Sequence, residues 1–184
     1  MTDRPPLDLP WSNRPPKASL ADRWDIRRCR ATEKVRAIIL SHQVVGLYVH
    51  YWSGRSRPCT GETCEACASN NAARWKGYLA ATDEGLKARW LLELNASCAQ
   101  GAHVHFSKLR TLRGCLAILS RSNGKSNGPL FLQISNQPMP NHALPDAPNV
   151  EQKLCRIWEV HYTAAPRPLL DIKRDDDEAL GVVG

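Results

Sequence analysis

Residues 44–67 read VVGLYVHYWSGRSRPCTGETCEAC, and this stretch decides both the fold class and the chemistry of the chain. Its first nine residues alternate between two faces, and both faces carry valine or aromatic side chains. A period of two with β-branched and aromatic residues predicts a β-strand over Val44–Trp52. One face carries Val45, Leu47, Val49 and Tyr51, and the other carries Val44, Tyr48, His50 and Trp52.

The second half of the same stretch completes a set of metal-ligand residues, which are His50, Cys59, Cys64 and Cys67. A Cys-x2-Cys pair directs two thiolates at one ion from a tight turn, and a third cysteine and a histidine complete a tetrahedral shell. Thiolates with one imidazole favour zinc, and because four protein ligands leave no position for water, we expect a structural Zn²⁺. A redox-active Cys-x2-Cys pair is the alternative to a metal site. The alternatives to His50 as fourth ligand are His42, His103 and His105.

The four remaining cysteines are expected to be free thiols that pack like small hydrophobic residues. The chain has seven cysteines, an odd number, and its first residues lack the apolar run of a secretory signal. A framework of disulfides is therefore not expected. The four thiols are Cys29, Cys98, Cys115 and Cys155.

Further segments alternate in the same way, and they are Arg74–Thr82, Ala88–Leu94, Gly114–Arg121 and Leu130–Ser135. Residues 95–109, between the third and fourth strands, lose the alternation and predict a short helix. This order of elements is that of the OB-fold, a small and partly open barrel that is widely used for oligonucleotides. We therefore expect a mainly β fold: an OB-fold-like five-stranded barrel with a zinc-binding loop between strands 1 and 2 and flanking helices.

The flanking helices are predicted over Ala31–Leu40 and Asn149–Val160. In the second segment, Val150, Leu154 and Trp158 are spaced four apart behind Asn149 as an N-cap, although a strand is an alternative there. The chain is expected to divide into a proline-rich arm, one folded domain and an acidic tail. Their bounds are 1–22, 23–162 with a zinc subdomain at 50–67, and 163–184.

Composition and charge exclude several classes of protein. The chain has 184 residues, 42% of them hydrophobic, which suits one domain of ordinary size. No apolar run approaches the roughly 18–20 residues of a membrane span, so we expect a cytoplasmic protein without a membrane partner, from a prokaryote or a phage-infected cell. The net charge is +7, and because residues 171–184 contribute −3, the rest carries +10. Such a basic body suits a polyanion, and a surface that serves only solubility is the alternative.

Basic and aromatic residues flank the predicted zinc loop, a mixture that suits single-stranded nucleic acid. Bases stack on aromatic faces at about 1–3 kcal/mol each, while lysine and arginine neutralise phosphates. Tyr78 and Trp52 are the preferred stacking residues, whereas Trp90 is expected in the core and Trp75 suits either place. Arg55 and Arg57 have the alternative of only solvating a loop. The candidate nucleic-acid-binding residues are Tyr48, Trp52, Arg55, Arg57, Arg74, Trp75, Lys76 and Tyr78, with Arg121 and Lys125 at the hairpin between the last two strands.

Known catalytic patterns do not fit the sequence, so we do not expect an enzyme. Zinc deaminases combine H-x-E with P-C-x-x-C, but His50 is followed by Tyr51 and Trp52, and the cysteine after Cys59 comes five residues later. No Walker or H-E-x-x-H motif is present, and the G-x-S-x-G match at residues 124–128 lies in the turn between two predicted strands, not in the strand-to-helix turn of a nucleophile elbow.

The ligand order His50, Cys59, Cys64, Cys67 within an OB-fold pattern resembles the zinc-containing single-stranded DNA-binding proteins of T-even phages. The resemblance covers about residues 43–135. It implies that zinc orders a subdomain attached to the OB-fold, and that an acidic tail, here Asp175–Glu178, contacts replication proteins.

We therefore expect a single-stranded DNA-binding protein of low sequence specificity that acts in replication or recombination. A protein partner is expected at the acidic tail. The alternatives are a zinc-ribbon module that contacts a protein, such as a transcription accessory, and an RNA-binding protein, because no motif separates RNA from DNA here.

Overall fold

A computed structural model of the chain describes residues 24–52, 54–125 and 128–160. The predicted arm at 1–22 and the predicted tail at 163–184 lie outside these residues. The helices are α1 (Glu65–Ala68), α2 (Ala96–Leu109) and α3 (Val150–Trp158). The strands are β1 (Ile26–Arg27), β2 (Val35–Ile39), β3 (Val45–Trp52), β4 (Arg55–Pro58), β5 (Arg74–Thr82), β6 (Arg89–Leu94), β7 (Leu116–Arg121) and β8 (Leu130–Ile134).

The strands form one mixed sheet in the order β1-β6-β5-β2-β7-β8. The long strand β5 pairs with β3 along its first half and with β2 near its end, so β2 and β3 together follow one edge of β5. Strand β4 pairs with β3 and no other strand of the described chain, and forms a two-stranded ribbon with it. The pairing of β1 with β6 is parallel, and the other pairings are antiparallel.

The mainly β class is confirmed, but the described residues form an open sheet, whereas an OB-fold-like five-stranded barrel was expected. Closure would need β8 to pair with the free edge of β6. That edge is taken by β1, which pairs Ile26 with Leu91 and Arg27 with Leu92. In the described residues β1 and β8 remain the two ends of the sheet. A short strand that the alternation of the sequence did not predict thus changes the architecture.

Hydrophobic clusters fill both faces of the sheet, because most strands are buried on both sides. Helix α2 covers one face, where Leu79, Leu92 and Leu119 pack with Ala99 and Ala102 of the helix. Helix α3 covers the other face, which is lined by Ile38, Leu40, Tyr78, Ala80 and Leu91 and is packed by Val150, Leu154 and Trp158.

The predicted helix over Ala31–Leu40 is wrong, because Val35–Ile39 is strand β2. Its apolar residues suit either a helix or a strand by themselves. Pairing decides the outcome, since Val35 lies opposite Leu119 of β7 and Ile39 lies opposite Ala81 of β5. These partners are distant in sequence, so no local pattern around residues 31–40 contains them.

The other two predicted helices are present as α2 and α3. Helix α2 occupies 14 residues behind Asn95, whose side chain accepts a hydrogen bond from the backbone N–H of Cys98. Helix α3 begins behind Asn149, which accepts from the N–H of Gln152 at 2.9 Å. The helical interpretation of Asn149–Val160 is thereby confirmed, and the strand alternative is wrong.

The ring of Trp75 lies across Gly46 of the neighbouring strand, where a side chain has no room. A Cβ built on Gly46 would lie 1.9 Å from Cζ2 of Trp75. We expect Gly46→Ala to lower the free energy of unfolding by about 1–3 kcal/mol, because the ring must leave its packing. Gly101→Ala is the control, since a Cβ there meets nothing within 4 Å. That change should stabilise helix α2 by about 0.5–1 kcal/mol; equal effects of the two substitutions in urea unfolding would contradict this packing.

Candidate metal centre and its flanking surface

The four predicted ligand residues come together at the base of the β3–β4 ribbon. Strand β3 carries His50, Cys59 directly follows β4, and Cys64 and Cys67 lie at the start and within helix α1. Their ligand atoms all lie within 4.8 Å of one another. The cluster can therefore hold a metal ion, and all three cysteines are free of disulfides.

The distances in the cluster match a tetrahedral shell. The sulfurs of Cys59 and Cys67 are 3.6 Å apart, and the Cys67 sulfur is 3.4 Å from Nε2 of His50. With zinc–sulfur bonds of about 2.3 Å and a zinc–nitrogen bond of about 2.0 Å, tetrahedral edges measure about 3.8 Å and 3.5 Å. These two distances and the donor set are therefore compatible with a tetrahedral metal site.

Tight turns between β3 and β5 bring the ligands to one point. Gly54 and Gly61 adopt positive φ angles of 79° and 81°, which glycine takes without steric cost. The backbone N–H of Cys59 donates to the carbonyl of Tyr48 at 2.8 Å, so the ribbon pairing continues into the cluster. The side-chain amide of Asn71 donates to the carbonyl of Tyr51 at 2.9 Å and ties the returning chain to β3.

Backbone amides around the cluster favour thiolates, the form in which cysteine binds metal. The N–H of Thr60, followed by that of Cys67, lowers the pKa of Cys64 to about 6. The N–H of Gly61 acts in the same way and lowers the pKa of Cys59. Without a metal, Cys67 holds a proton that its thiol shares with Cys59, which raises its pKa to about 11.

His50 is the histidine of the cluster. Its ring is buried, and the Cys59 sulfur, as the largest influence, raises its pKa. Nδ1 of His50 has no hydrogen-bond partner among the described atoms. The backbone of Asn71 makes a smaller contribution that also raises the pKa of the ring. A buried imidazole beside three sulfurs is suited to metal binding.

The rival histidines have other surroundings and are not part of the cluster with Cys59, Cys64 and Cys67. Nδ1 of His42 contacts the Thr111 hydroxyl at 3.1 Å. The ring of His105 contacts the carbonyl of Ser135, and that of His103 stacks on Phe106.

No disulfide joins the remaining cysteines of the described residues, and they are not part of the cluster. Cys29, Cys98 and Cys115 are buried, as predicted for packed thiols, whereas Cys155 is half-buried. Burial raises the pKa of the Cys98 thiol to about 11. Such thiols suit packing better than reaction.

Strand register places five of the predicted nucleic-acid-binding residues on the face of the ribbon that carries His50. Opposed residues of antiparallel strands point to the same face, and Tyr48 lies opposite Trp75, Trp52 opposite Arg55, and His50 opposite Arg57. We call Tyr48, Trp52, Arg55, Arg57 and Trp75 the His50 face. Tyr48 is 50% exposed, both arginines are exposed, and Trp52 and Trp75 are half-buried. Trp75 packs against the core and is partly exposed on the His50 face, so it lies at the border between the two predicted locations, core and surface.

Arg74 and Lys76 point to the opposite face. Their register partners are Val49 and Leu47, which alternate with the residues of the His50 face. Lys76 is engaged with the carboxylate of Glu93 at 3.2 Å, whereas Arg74 is exposed. The two predicted residues therefore belong to a second basic surface.

Tyr78 is not a stacking residue, which corrects the sequence-based prediction. Its side chain is fully buried beneath helix α3, with its ring against the edge of Trp158 at a centroid distance of 5.7 Å. Burial raises its pKa, and its hydroxyl has no hydrogen-bond partner among the described atoms. Trp90 is buried in the core as expected.

Arg121 and Lys125 do not join the His50 face. The guanidinium of Arg121 donates to the carbonyls of Cys29 and Gly128, both at 2.8 Å, and so fastens the β7–β8 hairpin. The loop that contains Lys125 lies beside the start of β2, where Gly124 is next to Thr32. The metal cluster, in contrast, lies at the base of the β3–β4 ribbon.

The sequence did not identify two residues on the face of the ribbon opposite His50, namely Tyr51 and Arg28. Tyr51 is 70% exposed on the face opposite His50, and its place in the alternation was the signal that could have identified it. Arg28 reaches across the sheet, with Nε 2.9 Å from Glu93 and its terminal nitrogen 3.0 Å from the Ser56 hydroxyl. No local pattern predicts that contact, because the partners are far apart in sequence.

None of the helices in the described ranges is long and apolar enough to cross a membrane. Comparison of the chain with protein-family models, with curated proteins and with solved structures gives no match. The chemistry and the register of the residues above therefore carry the functional argument.

Proposed function

We propose that this protein is a non-enzymatic, zinc-stabilised protein that binds single-stranded DNA with little sequence preference. The observation that carries the proposal is the His50 face, where strand register aligns exposed aromatic and arginine side chains directly beside the metal cluster. Single-stranded nucleic acid is bound by this combination, in which bases stack on rings and cations follow the phosphates.

The arrangement of the strands supports an OB-fold-like core. Five strands lie in the spatial order β6-β5-β2-β7-β8, and β3 continues the line of β2 along the same edge of β5. In the sequence, helix α2 comes between β6 and β7. Counted along the five expected strands, the metal cluster lies in the connection from the first to the second. In OB-folds this connection takes part in ligand binding.

Charge on the His50 face suits a phosphate backbone. Residues 44–61 contain no aspartate or glutamate. Arg55 and Arg57 are exposed and make no side-chain hydrogen bond or ion pair with another described residue. Contacts from such side chains to phosphates release counterions, so binding should weaken as salt concentration rises.

The metal has a structural task in this proposal. Four protein ligands close a tetrahedral shell, which leaves no position for a reacting water. His50, Cys59, Cys64 and Cys67 would hold zinc and fix the base of the β3–β4 ribbon, so that Tyr48, Trp52 and both arginines meet the strand in one orientation. The protein would work in the cytoplasm in replication or recombination, where it protects and presents single strands.

A zinc-ribbon module that contacts another protein is the second candidate. Exposed tyrosines at positions 48 and 51 favour it, because tyrosine is enriched at protein interfaces. This candidate requires stoichiometric zinc without affinity for free oligonucleotides.

Fluorescence anisotropy with labelled oligo-dT, a duplex and a matching RNA tests the proposal on protein of measured zinc content, at two salt concentrations. The expected result is salt-sensitive binding of oligo-dT that is stronger than binding of the duplex. Stronger binding of the RNA would move the function to RNA. Zinc-loaded protein that binds none of the three oligonucleotides would refute the proposal and favour a protein partner.

A further inference from the structure

The β3–β4 ribbon extends beyond the edge of the sheet and carries exposed side chains on both faces, although the metal cluster buries His50 itself. Its last three residue pairs, from His50–Arg57 to Trp52–Arg55, lie past the point where β3 leaves β5 at the Val49–Arg74 pair. At about 3.3 Å per residue, this free part measures about 10 Å. That length corresponds to about three base steps of a nucleic acid strand at 3.4 Å each.

The face opposite His50 has its own aromatic and basic residues. Tyr51 is the most exposed of the large hydrophobic side chains in the described residues, at 70%. Arg74 lies beside Val49 on the same face and is exposed. The one buried carboxylate near them, on Glu93, is matched by Arg28 and Lys76, so this face remains positive.

Arg28 holds the ribbon against the sheet on this second face. Its guanidinium contacts Glu93 of β6 and the Ser56 hydroxyl of β4, and so spans β5 and β3 between them. The metal cluster fixes the ribbon from the His50 side. Because both sides are held, the ribbon is a stiff projection with one binding face on each side.

We propose that the β3–β4 ribbon binds a junction between duplex and single-stranded DNA, with one unpaired strand on each face. This inference rests on the proposed function and names its preferred substrate. On the His50 face Tyr48, Trp52 and Arg55 meet one strand, and on the opposite face Tyr51 and Arg74 meet the other. A ribbon of about three base steps suits the first unpaired nucleotides at a fork, where the two strands diverge around it.

Anisotropy titrations of the zinc-loaded full chain with a forked duplex and with oligo-dT test this proposal, at equal total single-stranded length. The fork should bind at least about tenfold more tightly, since it engages stacking residues on two faces. Two double variants separate the faces: Tyr51→Ala with Arg74→Ala, and Tyr48→Ala with Arg55→Ala. Phe131→Ala, at an exposed aromatic of β8, is the control for surface changes away from the ribbon.

The Tyr51/Arg74 double variant should lose the preference for the fork, because its affinity for the fork falls more than its affinity for oligo-dT. The Tyr48/Arg55 double variant should bind both DNAs less tightly. Equal binding of the fork and oligo-dT by the unaltered protein would overturn the inference while the proposed function stands. Equal losses on both DNAs in the Tyr51/Arg74 variant would also overturn it, because one strand would then wrap both faces. Absence of oligo-dT binding would instead refute the proposed function.

Discussion

Replacing Cys64 with serine is expected to abolish stoichiometric zinc binding. Backbone amides of Thr60 and Cys67 prepare this sulfur as a thiolate, whereas a serine hydroxyl stays protonated at neutral pH and is a poor zinc ligand. Structural zinc contributes about 10–16 kcal/mol to the folding of small zinc-finger peptides. Losing one ligand should therefore loosen residues 50–71. Zinc content by elemental analysis and hydrogen exchange of the ribbon amides measure the two effects.

The damage should remain local, because both hydrophobic clusters lie outside the metal site. Far-ultraviolet circular dichroism of Cys64→Ser should retain the strand signal while amide protection of the ribbon falls. Cys155→Ser is the matched control, since this half-buried cysteine of α3 lies outside the cluster. The Cys155→Ser variant should bind one zinc per chain, as the unaltered protein is expected to do. Retention of one zinc per chain by Cys64→Ser would contradict the assigned ligand set.

Removing Arg55 and Arg57 together is expected to weaken oligo-dT binding by at least about tenfold at low salt, since hydrogen bonds to charged groups are worth about 1.5–3 kcal/mol each. The slope of log affinity against log salt should become shallower by about 1.4, because two phosphate contacts on a single strand are lost. Anisotropy titrations at several salt concentrations give both values. The arginines are exposed, so thermal stability should stay unchanged.

Lys87→Ala is the control for net charge, because Lys87 is exposed at the β5–β6 turn, outside the ribbon. It should leave both the affinity and the slope within error. A double arginine variant that keeps the full salt slope would show that phosphates are bound elsewhere. The second basic surface, with Arg74, would then be the next to examine.

Local alternation was sufficient to predict five strands, and residue spacing was sufficient to predict the cluster of His50, Cys59, Cys64 and Cys67. Arg74–Thr82 forms a strand over the predicted residues, and the other four strands differ from prediction only at their ends. The cluster was predictable because Cys59, Cys64 and Cys67 lie within nine residues of sequence. His50 is on β3, and β4 runs back along β3, so the chain at Cys59 returns to the neighbourhood of His50. Short loops with glycines at positive φ bring such residues together without help from distant segments.

Contacts between distant segments decided the rest of the surface. Tyr78 and Lys76 alternate with Trp75 as predicted, yet Tyr78 is buried because α3, more than seventy residues later, packs across that face. Arg121 was counted as a phosphate ligand, but the carbonyl of Cys29 binds its guanidinium. Helix α3 and the Cys29 carbonyl are both far away in sequence from the side chains that they bind. The residues next to Tyr78 and Arg121 therefore do not predict these contacts.

Local properties of the sequence predicted the mainly β class, helices α2 and α3 and the His50–Cys67 cluster, because alternation, the Asn149 cap and cysteine spacing each depend on neighbouring residues. Only the tertiary structure decided that the sheet stays open, that residues 35–39 are a strand, and which aromatic side chains reach solvent. These outcomes depend on pairing and packing between segments far apart in sequence, such as β1 with β6 and α3 with β5. The energy of those contacts outweighs local preference, and no local pattern contains it.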